Sequence, residues 1–160
     1  MSFSFEVTGM DKLVAQMSKL PDKGMGVAAQ ALFEGAAVMA DAVSHAVQGI
    51  ATEEFHYTKF GTRLPSPEEK ALLQGARKGV AKFKKKKDSV DTSVGMQNSG
   101  YGDLNGKTKP IPLIANAINS GTSFMKPQPF FRQAVETRAG AAGAAIEAGI
   151  ESRIDELSLD

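Results

Sequence analysis

The 160-residue chain is 42% hydrophobic and 23% charged, with a formal net charge of +1. Those values place it among single globular domains and exclude a wholly disordered or strongly polyionic chain. No cysteine is present, which excludes disulfides, thiolate metal sites and cysteine nucleophiles. With no Trp, two Tyr and two His, the catalytic vocabulary is thin, and an enzyme is not expected.

The first residues carry neither a basic n-region nor an apolar h-region, so no secretory signal is expected. Phe3, Phe5 and Val7 alternate with polar residues, the period of a half-buried strand. From Asp11 a short helix is expected, with Leu13, Val14, Met17 and Leu20 inward and Pro21 closing it. Met25, Ala28, Leu32, Ala36, Met39, Val43 and Val47 then recur at three and four, predicting a long amphipathic helix over 25–48. Its alanines suit close packing, either in the core or against another subunit. Glu34, Asp41 and His45 interrupt the stretch, so a membrane span is not expected.

Residues 50–66 read as an irregular, flexible loop. Ser66, Pro67 and Glu69 then spell a helix start, with a capping box and a proline at the first helical position. This helix is expected to run through Leu72, Leu73 and Val80 into the lysine run, weakened by Gly75 and Gly79. Val90, Thr92, Val94 and Met96 alternate as a further strand over 88–97. Residues 98–112 read as a flexible connection rich in Gly, Asn and Lys, with Pro110 and Pro112 limiting regular structure. Residues 113–118 suit a strand or one helical turn. After Pro127 and Pro129, an apolar repeat from Phe131 to Leu157 predicts a long last helix. The expected fold is α+β, one domain over 1–160. A small antiparallel or mixed sheet packs against the alanine-rich helix and the C-terminal helix.

The segment 100–108 superficially resembles a phosphate-binding loop, but its glycines stand at the wrong spacings. Glu53, Glu54 and His56, like Asp41 and His45, lack the further ligands of a metal site. No cofactor is expected. The strongest electrostatic feature is 70–87, which holds eight basic residues and no acid. Within it Lys82, Lys84, Lys85, Lys86 and Lys87 suit either a solvated or inter-subunit segment or a sequence-independent contact with DNA phosphates. Glu147, Glu151, Asp155, Glu156 and Asp160 give the C-terminus the opposite bias, which suits head-to-tail contact between copies.

The most recognisable stretch is 119–134, NSGTSFMKPQPFFRQA. It resembles the signature of a tail-component family of long-tailed phages and prophages. There a Gly-Thr pair is followed by Met and then by Pro, Phe, a hydrophobic residue, Arg and Ala. Residues 5–13 are similar to that family's start, a strand ending in glycine before a short helix. Asn119 stands where the family usually has an acid, and 51–87 look expanded and lysine-rich. The resemblance gives Gly121, Thr122, Pro129, Phe130, Phe131 and Arg132 structural roles. Gly121 permits a tight turn, the two rings anchor the last helix, and Arg132 suits a salt bridge or a partner.

The family is associated with the phage neck. The resemblance therefore implies a non-enzymatic virion protein, assembled in the host cytoplasm into a ring of six or twelve copies. It would sit between head-connector and tail-tube or terminator proteins, with genomic DNA in the channel as a further candidate partner and no membrane partner. The alternatives are a tail-completion or terminator protein capping the tube, and a non-specific nucleic-acid-binding protein using the lysine run.

Overall fold

The computed structural model describes residues 2–3, 21–54, 63–76, 79–80, 84–85, 90–96 and 100–158. The strand expected over 3–7 is described only at its start, where Ser2–Phe3 form β1. The short helix expected from Asp11 lies outside the described residues.

Helix α1 spans Pro21–Gln48. Pro21, expected to end a preceding helix, instead opens this one. The first turn has no intrahelical acceptor for its N–H groups, so a residue without one is tolerated there. Val27, Ala31, Ala36, Met39, Val43 and Val47 make its buried face. By length and mean hydropathy alone, 1.2 over an 18-residue window, Lys23–Gln48 would suffice to cross a membrane. Here its apolar stripe is covered by the last helix, α4, Phe130–Ser158.

The two helices run antiparallel. Val27 and Ala31 cluster with Ile146 and Ile150, whereas Val43 and Val47 cluster with Phe130, Phe131 and Ala134. Small residues set their spacing. A Cβ at Gly35 would fall 2.7 Å from Ile146 Cδ1 and 2.9 Å from the Ala142 carbonyl oxygen. Across the far end of the pair, Arg153 donates from Nη2 to Glu34 (2.6 Å) and from Nε to Gln30 (2.8 Å).

Helix α2, Pro67–Gly75, has the expected capping box. The Ser66 hydroxyl accepts from Glu69 N–H, and the Glu69 carboxylate accepts from Ser66 N–H. It stops short of the expected end, because the chain turns extended at Ala76 and Val80 is taken into a sheet. Strands β2 (Gly79–Val80), β3 (Lys84–Lys85), β4 (Val90–Asp91) and β5 (Val94–Gly95) follow. The strand expected over 88–97 is thus two pieces. β5 lies between β1 and β2, while β4 pairs with β3, all antiparallel. Between the pairs Val80↔Val94 and Lys84↔Asp91, one side has three positions and the other two, so the register shifts by one.

The connection expected over 98–112 is a correction. β6 (Tyr101–Leu104) and β7 (Lys107–Pro110) form a four-pair antiparallel hairpin. Asn105 (φ 53°) and Gly106 (φ 72°) make its two-residue loop, both left-handed as the tight primed turn demands. Pro110 and Pro112 do not interrupt structure but lead into α3, Ile111–Ser120, from its N-cap and first turn. That helix replaces the strand or single turn expected over 113–118. The main core lies where α2, α3 and the adjoining ends of α1 and α4 meet, with Leu73, Met96, Ile118 and Phe131 at its centre. The described chain is α+β.

Candidate functional site

The segment 119–134 is a junction that ties three helices together. The Asn119 side-chain oxygen accepts from Phe131 N–H (3.1 Å), satisfying a free donor at the start of α4. Gly121 has φ 76°, and a Cβ there would lie 2.9 Å from Pro127 Cδ and 3.0 Å from the Met125 carbonyl oxygen. Thr122 Oγ1 accepts from the N–H groups of Phe124 (3.2 Å) and Met125 (3.0 Å). Thr122 N–H donates to the Met125 carbonyl (3.0 Å), which closes the turn.

Beyond the turn, the Gln128 amide both donates to the Ala51 carbonyl and accepts from Ala51 N–H, each at 2.8 Å. This fixes the exit of α1 to the approach of α4. Pro129 supplies the carbonyl that receives Gln133 N–H. Phe130 and Phe131 are both 1% exposed and stack with centroids 4.8 Å apart, so they anchor α4 in the core. Arg132 is exposed and donates to Glu136 one turn on (2.7 Å). Apart from Arg132, these residues hold backbone and core in place.

A second polar centre joins this junction to α2. Arg63 donates two bonds to the Glu69 carboxylate (2.7 and 2.8 Å), and its backbone N–H and carbonyl bond to Phe124 and Lys126. Glu69 is 4% exposed. Its oxygens serve Arg63 and Ser66 N–H together, so they are committed to structure. Glu69 also lines a cleft of about 690 Å³ with Glu54, Glu68, Arg63, Lys107 and Lys109, so that three acids face three bases. Lys70, from the basic window, donates to the Ile50 carbonyl (2.7 Å) at the end of α1.

Burial raises the Glu69 carboxyl, but the hydrogen bonds from Arg63 and Ser66 and the Arg63 charge outweigh it, leaving it below the usual range. A carboxyl depressed in the folded state stabilises above its unfolded value, near 4.3, and that stabilisation is lost as pH falls through the folded value. Glu69→Gln should therefore be less stable than the parent near neutral pH. Urea titrations from pH 7 downward should show the difference shrinking below about pH 4.

The lysine run is not helical where it is described, since Lys84 and Lys85 form β3 opposite Asp91 and Val90. Lys82, Lys86 and Lys87 lie outside the described residues, as does His56. Asp41 and His45 are exposed on α1, and Glu53 accepts from Leu64 N–H. Among the described residues no three acidic or histidine side chains converge on a metal-sized site. Sequence reading missed the Arg63–Glu69 pair, six positions apart across a helix start, and the Gln128–Ala51 clamp, 77 positions apart, since neither has a local spacing signal. No family model matches the chain, and no curated protein or solved structure matches it.

Proposed function

We propose that the chain is a structural virion protein that assembles into a ring at the phage neck and helps join head and tail. The observation that carries this reading is the 119–134 segment. The residues through which it resembles the tail-component family are spent here on a rigid three-helix junction. A body so fixed can repeat lateral contacts without internal rearrangement, and closed rings need heterologous contacts whose rotation closes. Head-connector and tail-tube or terminator proteins are its proposed neighbours, with the terminator role as the finer alternative. Sedimentation across concentration, with imaging of particles carrying a labelled copy, tests it. Closed rings and a label at the neck are expected; a monomer at every concentration, absent from virions, overturns the reading.

The lysine run belongs to assembly or DNA contact in this proposal. Changing Lys84, Lys85, Lys86 and Lys87 together to Ser should shift the melting temperature little, because a dense run of like charges adds little to a core. Ring formation or DNA retention should fall instead. Salt-dependent duplex binding by the free chain, lost in that variant while rings persist, would favour the nucleic-acid reading.

A further inference from the structure

Phe124 is 76% exposed, yet the backbone that carries it is held firmly. Its N–H donates to Thr122 Oγ1, its carbonyl accepts from Arg63 N–H (2.8 Å), and Met125 beside it is buried in the core. A large ring presented on a fixed turn loses little freedom on docking, the property of an interface anchor. The turn is also cationic. Residues 119–134 include Lys126 and Arg132 and no carboxylate.

A recess wide enough for such a ring lies at the other end of the helix pair. Ala29, Gln30, Phe33, Glu34 and Arg153 line an open recess of about 310 Å³, with Phe33 itself 52% exposed. A cavity of about 150 Å³ already takes benzene, so one aromatic ring fits. The end of α4 that borders it carries Glu147, Glu151, Asp155 and Glu156, a charge bias opposite to that of the turn. Gln128, four residues after Phe124, is bonded to Ala51 just past the end of α1, whereas the recess reaches only to Glu34. Fourteen helical positions separate Gln48 from Glu34, about 21 Å of rise, so Phe124 does not reach its own recess.

We propose that Phe124 of one copy seats beside Phe33 in the recess of a second copy. Lys126 is thereby brought toward the acidic end of the second copy's α4. The two surfaces differ, so the contact is head-to-tail, and repetition produces a ring or a filament. This contact rests on the proposed self-assembly and names the surface through which it occurs.

The chain has no cysteine, so Phe124→Cys and Phe33→Cys variants each carry a single thiol. Mixed at a concentration where the parent associates and treated with a short bis-maleimide, they should give a covalent heterodimer. Each variant alone should stay uncoupled. Phe124→Asp, which alters an exposed side chain, should weaken self-association at least tenfold by sedimentation with an unchanged melting temperature. If the parent is monomeric at every concentration, both the assembly reading and this contact fall. If the parent associates but no heterodimer forms and Phe124→Asp associates normally, only this contact falls. Coupling of Phe124→Cys to itself, or to another particle protein, also overturns it.

Discussion

Phe131→Ala should destabilise the protein by about 3–5 kcal/mol, the range for emptying a buried phenylalanine site. The ring is 1% exposed, stacked on Phe130, and shares a cluster with Val43, Val47, Ile114 and Ile118. Its neighbours cannot close over the void, because Asn119 and Gln128 hold the backbone on either side. For a domain of this size each kcal/mol lowers the melting temperature by roughly 2–4 °C, so a loss on the order of 10 °C is expected. Calorimetry reads it directly. A variant melting within about 2 °C of the parent would show that the ring does not anchor α4.

Gly35→Val should cost about 2–3 kcal/mol, and Gly140→Ala should gain about 0.5–1 kcal/mol. The difference lies in what a side chain would meet. At Gly35 the new Cβ runs into Ile146 and the Ala142 carbonyl of the facing helix. Backbone cannot rotate away, so α1 and α4 must separate and lose contact along their length. Gly140 is exposed within α4 and has nothing within 4 Å of its Cβ position, leaving only the gain in helix propensity. Opposite signs in denaturant titrations of the two variants would support the close crossing; destabilisation by both would point to general helix damage.

How legible these features are in the sequence depends on the range of the interaction that makes them. The Ser66 capping box is readable because all its partners lie within four positions, and the α1 and α4 stripes repeat at helical spacing. Phe130 and Phe131 follow from a short motif with apolar residues after proline. The hairpin over Tyr101–Pro110 was written locally too, in Asn105-Gly106, but the nearby glycines and prolines read as punctuation of a loop. The end of α2 was not legible, since Val80 leaves the helical pattern only to pair with Val94. Glu69 is readable as a capping residue, but its second partner, Arg63, looks like an ordinary surface charge until the turn at 122–125 is placed beside it. Phe124 gave no signal either: an aromatic in a core motif is expected inside, and only the Thr122 turn puts it outside.

Glu53 N–H donates to the Pro65 carbonyl (3.1 Å), and Leu64 N–H donates back to the Glu53 side chain. Positions 53 and 65 are therefore fastened to one another, and the pair is buttressed by Arg63 on the 122–126 turn. Both stretches of chain are thus pinned by bonds within the body rather than by their covalent connection. A break in the chain between 54 and 63 would leave Glu53, Leu64 and Pro65 still tied to one another.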